Sequence, residues 1–265
     1  MLIDTNFDFQ AEANGRKQGD ARPHTLVYKS DGAVGWFSEK DSDACSPTLQ
    51  EYHRILWSKP LPSGEVFELT KIGQNRLRHN SLLGEFVLSS DRATAVTFAQ
   101  SKRVLEIVSR LPTNQLDAFA RLSDSIGGIV IWPAKRVGGL TINQARGFGK
   151  TGRILADRLD LTVECIRRYY SSESSPLNEV FERYDSFFRF FVDFRGWIDF
   201  FLLQDMVSDD YSAVKIAPPF NGFDASSVPD NTSEYILYMK HTLDLLNKRN
   251  TRIDAWQKLY GINRY

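Results

Sequence analysis

The segment 186–207, SFFRFFVDFRGWIDFFLLQDMV, restricts the fold of this chain more than any other. From residue 178 to 205 aromatic side chains recur so densely that the stretch must be buried on most of its sides. It cannot be buried in lipid. A membrane-spanning helix needs about 20 apolar residues in succession, and Arg189, Asp193, Arg195 and Asp199 interrupt the run. The expectation is a soluble protein whose core this segment fills. A chain of 265 residues with 42% hydrophobic and 25% charged residues is long enough for that core.

Charge and cysteine content narrow the function classes. Lys plus Arg and Asp plus Glu both total 33, so no global field draws the protein to nucleic acid or anionic membrane. The chain opens MLIDTNFDF, with acidic residues where a signal peptide carries basic ones, and its two cysteines, Cys45 and Cys165, lie far apart. Both point to a reducing cytoplasm. The sequence contains no internal repeat and no low-complexity tract.

The pattern of elements changes character along the chain. NFDF, TLVYKS and AVGWFS in the first 45 residues are short strand candidates. SPTLQEYHRILWS predicts a helix, with Ser46 as cap, Pro47 in the first turn and a stop at Lys59-Pro60. Residues 64–70 and 84–90 alternate as half-buried strands do, 127–133 is a continuous apolar run suited to a central strand, and 101–124 is helical in pattern. From about 142 the chain is almost wholly helical, with Leu155, Leu159, Ile166 and Tyr169 on one face of 153–170. The last helix starts near Asn231, which pairs with Glu234 as a cap, and carries Ile236, Met239, Leu243, Leu246, Ile253 and Trp256 in a stripe. The expected class is α+β: a β-rich part over about 1–133, then a helical part over about 141–265.

RGFGKTGR, residues 146–153, suggests a phosphate loop but does not meet its requirements. A P-loop needs glycine five residues before the second glycine, and that position holds Gln144; the preceding strand also ends near Pro133, too early. A helix opening can nevertheless bind an anion through its free amides. Residues 133–170 hold Lys135, Arg136, Arg146, Lys150, Arg153, Arg158, Arg167 and Arg168 against only Asp157, Asp160 and Glu164. On a continuous helix the three acids share a face and are candidate catalytic groups, while Asn143, Arg146, Arg153, Arg158 and Arg167 are candidate ligands for phosphate. The bland alternative is a set of ion pairs, such as Arg153 with Asp157 and Glu164 with Arg168, that support a helix.

Other chemistries find less support. Asp193, Asp199 and Asp205 are six apart and rotate around a helix, while Asp209 and Asp210 suit capping better than a cation. His24, His53, His79 and His241 lack metal-ligand spacing, and no Gly-x-Ser-x-Gly is present, so neither a structural zinc nor a serine hydrolase is expected. Arg54, Ser89 and Ser90 are faintly similar to ADP-ribosyltransferases, but the Glu-x-Glu or Gln-x-Glu of that class is missing after residue 98.

The blocks LWSKPLPSGEVFEL (56–69), IGGIVIWP (126–133), TINQARG (141–147), DRLDLTVECIRRYYSSESSPL (157–177), FVDFRGWIDFFLLQDMVSDDYSAVK (191–215) and RNTRI (249–253) together resemble a bacterial family of about this length that carries only a domain-of-unknown-function label. The resemblance implies a bacterial cytoplasmic protein folding as one unit over nearly the whole chain. It assigns no activity, cofactor or catalytic residue. The functional expectation is therefore a protein or enzyme that engages a phosphate-containing ligand, RNA or a nucleotide, at 141–170, for instance in a toxin or phage-defence role. The competing expectation is a non-catalytic module that binds a protein partner.

Overall fold

The computed structural model describes residues 2–20, 27–28, 34–35, 40, 42–73, 76–94, 102–147 and 155–260. Phe9–Ala13 forms α1, opened by the Asp8 side chain, which accepts from the Ala11 amide; NFDF is thus a helix start rather than a strand. Val27–Tyr28 and Val34–Gly35 pair antiparallel as β1 and β2, within two of the expected strands. The short α2, Ser42–Cys45, leads into α3, Pro47–Trp57. Ser46 caps α3 by accepting from the Leu49 amide at 3.1 Å, with Pro47 in the first turn.

A four-stranded antiparallel sheet follows in the order β3 (Thr70–Ile72), β4 (Arg76–Ser81), β5 (Gly84–Arg92), β6 (Ile129–Pro133). The strand expected over 64–70 is mostly irregular; Val66 makes one bridge to Pro60, and pairing begins only at Thr70. The unexpected strand is β4, whose RLRHNS turns Leu77 and His79 inward and charged groups outward. Leu77 pairs with Leu88, and Ser90 with Ile131. β6 is buried along its whole length, as its unbroken apolar sequence requires. The chain reaches it through α4 (Lys102–Val108) and α5 (Thr113–Ser123), two helices separated at Pro112 where one helical segment was expected.

The α-helices that follow are α6 (Ile142–Arg146), α7 (Leu159–Tyr170), α8 (Asn178–Arg183), α9 (Asp185–Phe188), α10 (Phe194–Phe200) and α11 (Thr232–Tyr260), with an irregular stretch over 207–231 before the last. The aromatic stretch is broken into short pieces. Val192 has φ +70°, and a Cβ on Gly196 would stand 2.0 Å from the Phe191 carbonyl, so the chain folds back on itself there. Its side chains join the two parts of the molecule: Trp132 of β6 stacks on Trp197 of α10 at 6.2 Å, and Phe67 packs edge-on to Phe190 and Phe200. One buried cluster runs from Phe9 and Leu49 through Leu88 and Ile131 to Phe201 and Ile253. The fold is α+β, with the sheet in the N-terminal half and helices after it. No helix among the described residues is long and apolar enough to cross a membrane.

Candidate functional site

Arg146 ends α6, a helix opened by a capping box in which Thr141 and Gln144 satisfy each other's backbone amides. The helix is short, and its last residue is driven into the core beneath the end of β5. All five guanidinium N–H groups are engaged there. Nε donates to Thr162 Oγ1 (3.3 Å), Nη1 to Asp91 Oδ2 (2.5 Å) and the Arg92 carbonyl (3.0 Å), and Nη2 to the carbonyls of Ala93 (3.2 Å) and Asp157 (2.8 Å). The cation lies 5.8 Å from the Trp132 ring centroid and is sealed from solvent. An arginine has five donors, so Arg146 has none left for a phosphate.

Asp157 is beside it, its Oδ1 4.0 Å from Nη1, but it stands before α7 rather than on it. Ala156 and Asp157 both have positive φ, +49° and +58°, a conformation held by the Asp157 amide donating back to the Arg146 carbonyl at 2.9 Å. The acid that sequence reasoning missed is Asp91. Burial raises its carboxyl to about 6 against the pull of Arg146, with the charge of Asp157 adding to the rise. Burial raises Asp157 as well, again opposed by Arg146. The pair holds protons at higher pH than ordinary aspartates do, a property suited to proton transfer.

Arg158 is equally committed. Its Nε and Nη2 grip both oxygens of Asp160 (3.2 and 2.6 Å), Nη1 donates to the carbonyls of Pro219 (2.8 Å) and Ser227 (2.9 Å), and Nη2 also donates to the Ala217 carbonyl. Asp160 further accepts from the amides of Ala217 and Leu161, and these bonds with Arg158 hold its carboxyl low despite the burial that pushes it up. Glu164 lies farther along α7 and accepts from Arg167 and Arg168; Arg167 also forks onto Glu173 at 2.8 Å. Asn143 is half-buried on α6, and Arg153 and the Gly-Lys-Thr stretch lie outside the described residues.

The predicted cluster is thus three separate knots, and this corrects the expectation of one acidic face. Asp157 goes with Arg146, Asp160 with Arg158, and Glu164 with Arg167 and Arg168. The reason is the late start of α7 at Leu159, which removes Asp157 from the helical register. Among the described residues no group of acids, histidines and cysteines is placed to hold a metal ion.

A different arginine is unsatisfied. Arg249 sits on α11 in the apolar stripe, three residues after Leu246 and four before Ile253, and is only 3% exposed. Its Nε donates to the Phe201 carbonyl (3.2 Å), and Nη1 to those of Gly127 (2.8 Å) and Ile129 (3.0 Å). Nη2 has no hydrogen-bond partner, and no carboxylate pairs with the cation, among the described residues. Burial without a counter-ion brings its pKa down to about 9. Arg249 lines a partly open recess between the start of α7, residues 202–206 and α11. The walls are Leu159, Leu202, Leu203, Met206, Leu245 and Leu246, with Tyr238, His241, Thr94 and Thr242 as polar members. Two acids also face it, Asp160 and Asp205, each already paired, with Arg158 and Arg252. The signal for Arg249 was present in the sequence as a lone cation inside an apolar helical stripe.

Fold and site together define an α+β protein in which buried arginines tie an antiparallel sheet to a helical half, one of them open to a recess. The chain belongs to DUF6994, a family of unknown function, which it matches over residues 3–253. No curated protein and no solved structure matches it.

Proposed function

We propose that the protein binds a small organic monoanion, a carboxylate with an apolar body, in the recess beside Arg249. The observation that carries this reading is a guanidinium buried without a carboxylate, one nitrogen lacking an acceptor, on the wall of an open recess. Burying a charge alone is costly. An arriving carboxylate supplies the opposite charge that the cation lacks. The leucines and Met206 take its apolar body, the usual division of labour in a ligand pocket.

Phosphate fits the recess less well. Asp160 and Asp205 face the same space, so a dianion meets repulsion that a monoanion meets only in part. RNA binding uses several exposed cations along a strand, whereas Arg146 and Arg158 are buried with every donor used and Arg167 is neutralised by Glu164 and Glu173. The anionic ligand expected from the sequence is therefore assigned to another arginine and to a smaller molecule.

Differential scanning fluorimetry and calorimetric titration test the reading with butyrate, hexanoate, benzoate, inorganic phosphate, AMP and a short RNA. A carboxylate is expected to raise the Tm by mass action, and both Arg249→Gln and the recess-filling Thr242→Phe are expected to abolish the rise. A rise with AMP or RNA and none with any carboxylate would overturn the assignment.

A further inference from the structure

Lys59 lies just beyond α3, in Ser58-Lys59-Pro60, and its backbone is fixed on both sides: its amide donates to the Trp57 carbonyl at 2.8 Å and its carbonyl accepts from Phe67 at 3.0 Å. The side chain runs inward and is 7% exposed. Its Nζ stands 5.1 Å from the ring centroid of Trp57, 4.8 Å from Phe200 and 5.5 Å from Trp256. Among the described residues it donates no hydrogen bond and joins no ion pair. A second cation, Arg249, approaches the same Trp57 ring at 5.7 Å.

Two circumstances make a lysine amine nucleophilic: loss of water around it, and a neighbouring positive charge. Both occur here, the first from three rings on three different elements, the second from Arg249. The charged groups that act on it are Arg249 of α11 and, in the opposite sense, Asp199 of α10, whose Oδ1 already accepts from Gln204 Nε2 (2.9 Å) and Tyr211 Oη (2.7 Å). We propose that Lys59 is a reactive amine that condenses reversibly with the carbonyl group of a small aldehyde or ketone. Burial first, then Arg249, brings its pKa down to about 7 against the pull of Asp199, so the free amine is present at neutral pH.

The step is a condensation without redox change. The Nζ lone pair attacks the carbonyl carbon, a C–N bond forms, and the carbonyl oxygen leaves as water with both amine hydrogens, giving an imine. Protonated, that imine is a cation held over the same three rings that flank the ammonium. Water added back across the C=N bond returns lysine and carbonyl compound. Lys59 is not among the residues of the recess, so the inference stands apart from the carboxylate reading.

The test is trapping with borohydride after brief exposure to formaldehyde, the smallest probe, or benzaldehyde, followed by peptide mapping by mass spectrometry. At pH 7 a group of pKa 7 is about half neutral, against roughly one part in 2,500 for an ordinary lysine. The reduced adduct should therefore form on Lys59 at least about tenfold faster than on the exposed Lys240 and Lys248, even after the lower intrinsic reactivity of a weaker base. Its rate should level off above about pH 7 while theirs climbs toward pH 10. Lys59→Arg, which keeps the charge over the rings, should lose that adduct with its Tm preserved. Formaldehyde labelling of Lys59 no faster than of Lys240 at pH 7, in folded wild-type protein, would overturn the proposal.

Discussion

Replacing Arg146 by alanine removes a cation whose five N–H groups meet five separate acceptors, and the cost follows from what those acceptors lose. The carbonyls of Arg92, Ala93 and Asp157 are left without the guanidinium, and each buried acceptor stranded in this way costs about 1–3 kcal/mol. Thr162 loses least, because its hydroxyl still donates to the Arg158 carbonyl at 2.9 Å. Asp91 is one-quarter exposed and recovers part of its hydration. Water entering the vacated space relieves some of the rest, so the expected loss is about 4 kcal/mol, within the range of about 3–5 for breaking a buried pair. Against a total stability of about 5–15 kcal/mol that is a large fraction. Lysine restores the charge but offers three donors from one point, and Arg146→Lys should lose about half as much. Urea unfolding at pH 7 measures it: with a slope of about 3 kcal/mol/M the alanine midpoint falls by roughly 1.3 M. An Arg146→Ala protein within about 1 kcal/mol of wild type that had lost affinity for an anionic ligand would refute the argument and return Arg146 to the binding site.

Two further outcomes follow from buried groups. Burial, with Arg249 adding to it, holds His53 at about 3, so between pH 6.5 and 3 the unfolded chain binds a proton that the native protein does not, and stability falls with falling pH by about 1.4 kcal/mol per unit. Asp91, raised to about 6, acts in the opposite sense from pH 6 to 4, where the native state binds the extra proton. Over that window His53→Gln should therefore hold its stability better than wild type as the pH drops, because it lacks the His53 contribution; parallel urea midpoints for the two proteins would rule this out. A Cβ on Gly128 would stand 2.2 Å from the Ser123 carbonyl oxygen, so Gly128→Ala should cost about 3 kcal/mol or more, and a Tm shift under a degree would contradict that close approach.

What the sequence disclosed depended on where the partners of each residue lie. Helices 47–57 and 232–260 were legible because their caps are neighbours in the chain, Ser46 with Leu49 and Asn231 with Glu234. β6 was legible because burial on both faces leaves an unbroken apolar run. β4 was not: only Leu77 and His79 turn inward, too few to set a period amid RLRHNS. The arginines of 141–170 stood out as a local charge excess, but their roles are set by carbonyls at 92, 93, 157, 217, 219 and 227, and a carbonyl carries no residue type. Asp91, far from that segment in sequence, was missed for the same reason of distance. Glu164 with Arg168, an interaction one helical turn long, was the part of the network readable in advance.

The last helix has a consequence for the order in which the protein is made. Arg249 reaches carbonyls of Gly127, Ile129 and Phe201, Asn250 donates to the Thr5 carbonyl and to Ser125, and Gln257 both accepts from the Ile3 amide and donates to its carbonyl. A ribosome releases those three side chains only after everything they hold. Until then the start of β6 and the segment before α1 are without their partners, so the growing chain acquires its closed form late, when the final turns of α11 arrive.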